Sequence, residues 1–311
     1  MTAAHSLITG LYEAHLPTDD LDRAVAFYER LGLAVAYRNE RVAFVWTEPN
    51  RSWLGLWGIE APESHVAFEV PLAGLERSVE WLSERGIDPV EVNGLTEPQV
   101  RPYQANASVY FEDPFGNNLE FMCSLPVDPT EKRGEHPTLD EWLATNREAV
   151  GADDEEEVPD EDVSATSHGV VQGLGEAHLP VDDIEEALAF YRDTLGLSVA
   201  WRDDEVAFVW TEVGRSWLGL WEGWMPDDHV ALAMSLDDLT QCEDWLAERD
   251  ISLREDSGFT EPYVRPHQPI ASAYFHDSEE NNLELVCFLS TDPTENPEKV
   301  PLREWLVAQR H

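Results

Sequence analysis

Apolar and polar residues alternate along some stretches of the chain and recur with a 3.6-residue period along others. The two rhythms succeed one another as βαβββ modules. In the first module LYEAHLP reads as a strand, DDLDRAVAFYERLG as a helix capped by Asp19 or Asp20 and closed by Gly32, and AVAYR, RVAFVWTE and SWLGLW as three further strands. In the second, HVAFEV is a strand, LERSVEWLSERG a helix ending at Gly86, and PVEV, SVYFED and NLEFMC complete the set. Leu21, Ala24, Val25, Tyr28 and Leu31 form the helical stripe that would pack on a sheet. An α+β fold is predicted.

The whole pattern occurs twice. GLYEAHLPTDDLDRAVAFY at 10–28 returns as GLGEAHLPVDDIEEALAFY at 173–191, 163 residues later, whereas VAFVWTE at 42–48 returns at 206–212, 164 residues later. One residue has therefore been added between Tyr191 and Gly196. His65 and His229, the TEPxVRPxQ segments and the NNLE segments keep the larger offset. Between the copies, ADDEEEVPDEDVSATSHG reads as a disordered linker. The tails around Trp142 and Trp305 read as helices that cover a sheet or a partner domain.

Charge and composition narrow the setting. A formal net charge of −43, from 20 basic and 63 acidic residues, excludes nonspecific attraction to nucleic acid or to an anionic bilayer. No apolar run approaches the ~20 residues of a membrane helix, and MTAAHSLITG lacks the basic region and apolar core of a secretory signal, so a soluble cytoplasmic protein is expected. Hydrophobic residues at 42% require a folded core beneath the charge. Only Lys132 and Lys299 are lysines, a composition like that of halophilic proteins. In 1 M salt a Debye length of ~3 Å screens the self-repulsion. Cys123, Cys242 and Cys287 form no CxxC pair and read as buried thiols.

Strand alternation decides which side chains share a face. Glu13 and His15 share one, as do His65, Ala67 and Glu69, then Asn118, Glu120 and Met122, and then Trp53, Gly55 and Trp57. The second copy repeats this with Glu176 and His178, His229, Glu284, and Trp217, Gly219 and Trp221. A face bearing two histidines and two glutamates cannot be a dry core, because an unpaired buried carboxylate is costly. It is expected to be a wet or metal-filled concavity. Imidazole with carboxylate suits a divalent metal such as Fe, Mn, Zn, Ni or Co. The plainer alternative is structural: histidines bonded to neighbours, tryptophans in the core, and Arg101 and Arg265 paired with surface acids instead of clamping a substrate carboxylate.

EAHLPTDDLDRAVAFYERLGL, SHVAFEV and DPFGNNLEF together resemble the vicinal oxygen chelate superfamily, which includes glyoxalase I, fosfomycin and bleomycin resistance proteins and extradiol dioxygenases. The resemblance implies one such domain at 8–125 and another at 171–289, with 126–170 as tail helix and acidic linker and 290–311 as a C-terminal tail helix. It implies tandem paired βαβββ modules forming cup-shaped mixed sheets around a divalent metal, with helices on the outer face. Carried over residue by residue, His65 and His229 fall on the family's second-module histidine ligand and Glu120 and Glu284 on its final glutamate. Its first-strand ligand falls on Glu13 and Glu176, with His15 and His178 two residues on, and the choice between them stays open. The fourth-strand carboxylate or amide of glyoxalase I is replaced by Gly55 and Gly219.

Tyr110 and Tyr274, ten residues before Glu120 and Glu284, match a tyrosine of the extradiol branch. The acid/base histidine of that branch would be His267 in the second copy, where the first copy has Tyr103. The second copy's DSEENNLE turn has lost the Pro and Gly of the family. Trp53, Trp57, Trp217 and Trp221 would wall a pocket for an apolar or aromatic substrate. Three functions follow from the resemblance: a divalent-metal enzyme acting on a small oxygen-chelating molecule, an extradiol-type ring-cleaving dioxygenase, and metal-free sequestration of a small molecule of the bleomycin-resistance type. The two halves are expected to pair within the chain. Closure of each site within or across the halves, and homodimer formation, stay open.

Overall fold

The computed structural model describes residues 7–59, 64–128, 130, 134–150, 171–223, 229–278, 280–291, 294 and 298–309. The acidic linker expected at 152–169 lies outside them. The chain divides into two compact units, one of residues 15–177 and 214–216 and one of residues 1–14, 178–213 and 217–311. Both mix strands with short helices, so the α+β class holds.

In the unit of residues 15–177, the helix Leu21–Arg30 starts at Asp20, whose carboxylate accepts the Arg23 N–H. After it, Gly32 takes a φ of 82°, a conformation a glycine adopts without strain. Strands Ala34–Arg38, Val42–Glu48 and Ser52–Gly58 follow as an antiparallel meander. The second module centres on His65–Glu69. This strand pairs in parallel with Asn118–Ser124, which pairs antiparallel with Asn106–Glu112, which pairs antiparallel with Gln99–Arg101. On its other side, His65–Glu69 takes the beginning of strand Gly173–Val181 as an antiparallel partner.

Two expectations for this module need correction. PVEV is not a strand: Pro89 and Val92 make only isolated bridges, to Phe111 and Leu95. Pro89 has no N–H to give a ladder, and Asn93 and Gly94, both at positive φ, turn the chain immediately afterwards. The missing strand is Gln99–Arg101. The helix of the module comes in two pieces, Leu72–Glu76 and Ser78–Glu84, with the Ser78 hydroxyl donating to the Leu75 carbonyl between them.

The other unit repeats these elements with a local change in its first helix. Helix Ile184–Leu188 runs into a π-helical stretch, Ala189–Thr194. In the first copy Leu31 N–H donates to the Phe27 carbonyl four residues back, whereas Leu195 N–H donates to the Phe190 carbonyl five back. The residue added after Tyr191 is absorbed as a π-bulge, and the strands beyond keep their place. Here residues 10–14 of strand Gly10–Thr18 pair antiparallel with Val230–Ala233. The run continues through Asn282–Phe288, Ile270–His276, Tyr263–Arg265 and Val300–Pro301. Each unit therefore joins the second module of one repeat to the first strand of the other.

The two sequence signatures meet in a buried knot. Tyr28 Oη donates to Asp113 Oδ2 at 3.0 Å, and Asn117 Nδ2 donates to Asp113 Oδ2 and to the Pro17 carbonyl. Asn117 Oδ1 accepts the Ser64 N–H. Tyr191, Asp277, Asn281 and Pro180 repeat the bonds from Tyr191 and from the Asn281 amide. The second copy dispenses with Pro and Gly because the Asp–Asn pair carries the turn. The tail ahead of helix Leu139–Val150 bridges the edge strand through Gln99 and Thr138, and Val300–Pro301 pairs with Tyr263–Val264 in the other unit, so each tail covers a sheet edge. The three cysteines are buried, as expected. No helix among the described residues is long and apolar enough to cross a membrane.

Because the Tyr28 hydroxyl bonds a buried carboxylate, Tyr28→Phe should destabilise the chain by about 1–3 kcal/mol. Chemical unfolding checks this, and an unchanged midpoint would show that the Tyr28–Asp113 bond contributes nothing.

Candidate metal centre

Each centre is built around an alanine. Ala67 lies opposite Glu120 on one neighbouring strand and opposite Glu176 on the other. Ala231 lies in the same way between Glu284 and Glu13. Paired residues project to the same side of a sheet, so a methyl group separates two carboxylates. His65 stands two residues before Ala67 on the same face, as the alternation predicted, and His229 stands two before Ala231.

His65 Nε2 is 3.3 Å from Glu120 Oε2 and 3.4 Å from Glu176 Oε1. His229 Nε2 is 2.9 Å from Glu284 Oε2 and 3.9 Å from Glu13 Oε1. All four glutamates are buried. Donor atoms of Glu13, His15 and His229 lie within 4.8 Å of one another, as do those of His65, Glu176 and His178. Each donor group thus contains both first-strand alternatives, the glutamate and the histidine, beside a histidine of the other repeat.

Glycine makes room for the first-strand imidazoles. A Cβ on Gly55 would come within 2.5 Å of His15 Cδ2, and one on Gly219 within 2.5 Å of His178 Cδ2. The space that a fourth-strand side chain would need is filled by a histidine ring. His15 also packs at 5.3 Å on Trp57, and His178 at 5.6 Å on Trp221. The indole Nε1 of both tryptophans is buried with no hydrogen-bond partner. Trp53 and Trp217 are packed deeper, against Phe44 and Trp46 and against Phe208 and Trp210.

Behind the terminal glutamates lie the two arginines. Arg101 Nη1 donates to Ser108 Oγ at 2.7 Å and to Glu120 Oε1 at 3.3 Å, and Nη2 donates to the Tyr110 hydroxyl. Arg265 Nη1 donates to Ser272 Oγ and to Glu284 Oε1, and Nη2 to the hydroxyls of Tyr263 and Tyr274. Tyr274 stacks on His229 at 5.8 Å, and Tyr110 lies 6.1 Å from His65. His267 is half-buried, and Tyr103 is buried at its place in the first copy. Sequence reasoning missed Ser108, Ser272 and Tyr263. The signal was available for the serines, which stand two residues before Tyr110 and Tyr274 and so share their face.

The pattern of the Glyoxalase/Bleomycin resistance protein/Dioxygenase superfamily matches residues 10–121 and 173–285. The chain belongs to this superfamily. Catechol-2,3-dioxygenase of Bacillus subtilis (strain 168) is 25% identical over 289 residues, covering 88% of this chain and 98% of that protein. A solved structure from Bacillus subtilis subsp. subtilis str. 168 superposes with a TM-score of 0.60 at 13% identity, covering 98% of this chain and 96% of that one. A glyoxalase I variant from Zea mays gives 0.51 at 16% identity, covering 91% and 94%. The two solved structures share the chain's fold over 98% and 91% of its length.

The electrostatics suit a dication. Burial opposes the imidazolium of His65, but hydrogen bonds to Glu120 and Glu176 and their charges overcome it and raise the group to about 9. Burial likewise opposes the Glu284 carboxylate, and Arg265 and His229 outweigh it, taking the group to about 2. Without a metal, two carboxylates are thus balanced by a protonated histidine and a guanidinium, and a divalent cation would take the place of the imidazole proton. His65 stabilises the metal-free fold below its ordinary 6.5, and that contribution is lost as pH rises through about 9. Glu284 does so above its ordinary 4.5, and its contribution is lost as pH falls through about 2. Thermal unfolding in a chelator should therefore show greatest stability between pH 4.5 and 6.5. A maximum above pH 8 would contradict the protonated-histidine balance.

Gly55→Ala should displace the His15 ring, weaken metal binding at the centre containing Glu13, and destabilise the fold by about 1–3 kcal/mol through overpacking. Titration with Mn²⁺ checks this, and unaltered affinity would separate His15 from the centre.

Proposed function

We propose that the chain is a divalent-metal-dependent enzyme of the glyoxalase/dioxygenase type acting on a small oxygen-chelating, apolar or aromatic substrate. The observation that carries this reading is the convergence, twice, of two buried glutamates on one histidine nitrogen, with a second histidine in the same donor group. Glu13, His229 and Glu284 would hold the metal in one centre and Glu176, His65 and Glu120 in the other, with His15 and His178 as further donors. A bound divalent cation supplies Lewis acidity toward adjacent oxygens of a chelating substrate.

The chain's own residues supply the rest. Burial and the neighbouring glutamate raise Tyr110 and Tyr274 well above the ordinary phenol value, so both keep their protons. Each phenol is a hydrogen-bond donor beside the histidine. The unpartnered indole N–H groups of Trp57 and Trp221 offer further donors next to His15 and His178. Burial, with Arg265 and Lys299 nearby, lowers His267 below its ordinary value, so it is neutral and able to take up a proton. Ring cleavage of a catechol is a second reading. It is supported by His267 and by the likeness to the Bacillus subtilis catechol-2,3-dioxygenase along nearly the whole of that protein. The carboxylate excess fits a cytoplasmic setting in molar salt.

Metal analysis of the chain purified without chelators tests this. Two equivalents of metal are expected, one lost in His65→Ala and the other in His229→Ala. Because the centres close across the repeats, Glu13→Gln should impair the His229 centre and leave the His65 centre intact. Oxygen uptake by the iron-loaded chain with catechol would establish ring cleavage. A wild-type chain that takes up no metal would contradict the proposal and leave sequestration.

A further inference from the structure

A cation beside a metal ligand is electrostatically costly unless it does something for that ligand. We propose that Arg101 and Arg265 are positioning residues, each keeping one oxygen of the terminal glutamate on its guanidinium so that the other oxygen alone faces the metal. The inference rests on the metal-dependent reading above. The two oxygens of each glutamate are divided in the same way in both centres. Glu284 Oε1 accepts from Arg265 at 3.2 Å while Oε2 lies 2.9 Å from His229 Nε2. Glu120 Oε1 accepts from Arg101 at 3.3 Å while Oε2 lies 3.3 Å from His65 Nε2.

A carboxylate that rotates freely can present either oxygen, or both at once. One whose first oxygen is bonded to a fixed guanidinium presents only the second. The guanidinium is itself fixed from behind, by Ser108 and Tyr110 in one centre and by Ser272, Tyr263 and Tyr274 in the other. Both Nη atoms of each arginine are taken up by protein acceptors, which argues for this use over the substrate clamp expected from sequence. Arg101 and Glu120 are both buried, so little water is at hand to replace the bond. The arginine also offsets the repulsion of Glu176 on Glu120 before a metal arrives. Tyr263 adds an anchor that the first copy lacks, since Gln99 at its place bonds Asn93 instead.

The test is Mn²⁺ titration of the full chain stripped of metal, with free Mn²⁺ followed by electron paramagnetic resonance and the carboxylate stretches by infrared difference spectroscopy. Arg265→Gln should weaken one of two sites by about 10- to 100-fold and narrow the splitting of one carboxylate toward the two-oxygen mode. Arg101→Gln should do the same to the other site. Tyr263→Phe leaves the buried charges balanced and should weaken the Arg265 site alone, by about fivefold. Wild-type affinity and splitting in the arginine variants would overturn the inference while leaving the metal reading intact. If Arg265→Gln does not fold, Tyr263→Phe decides, and unchanged affinity there overturns it. Absence of Mn²⁺ binding by the wild-type chain overturns both readings.

Discussion

Antiparallel pairing of residues 10–14 with Val230–Ala233, and of the start of Gly173–Val181 with His65–Glu69, is the constraint on which both centres depend. It places a second glutamate opposite a small alanine whose other neighbour already carries one. Two buried carboxylates at that spacing are unfavourable by themselves. A histidine and an arginine on the same face balance them, and the same arrangement accepts a dication. The pairing thus converts four strands of ordinary alternation into a place where charge must be compensated.

Much of this was legible in the chain. Period-two alternation put Glu13 with His15, and His65 with Ala67, on shared faces; in the structure Ala67 lies opposite Glu120, and Glu13 and His15 have donor atoms in one group. The added residue after Tyr191 was visible as a change of offset, although its form as a π-bulge was not, since both helical ladders fit the same apolar stripe. PVEV misled because valines at alternate positions look like a strand whether or not the backbone has a partner. Pro89 and the Asn93–Gly94 turn limit that pairing to isolated bridges.

The exchange of first strands could not be read from the residues. EAHLP occurs identically in both repeats, so no local feature says which second module it pairs with. The arginines were found as candidates, but their partners lie on strands 7 and 19 residues away and depend on pairing that one-dimensional pattern does not encode. The copies also diverge where packing differs. At the bulge in the first strand, Gly175 is required because a Cβ would meet Met122 at 2.9 Å, whereas the first repeat buries Tyr12 there. Gln99 against Tyr263 and Tyr103 against His267 make the surroundings of the two arginines unequal around nearly identical donor sets.

Anomalous diffraction from crystals of the chain soaked in Zn²⁺ tests the central claim most directly. The account predicts two peaks, each within a bonding distance of ~2.0–2.2 Å of a first-strand residue from one repeat and of the histidine and terminal glutamate of the other. Peaks coordinated by Glu13 together with His65 or Glu120, or none at these glutamates, would contradict it.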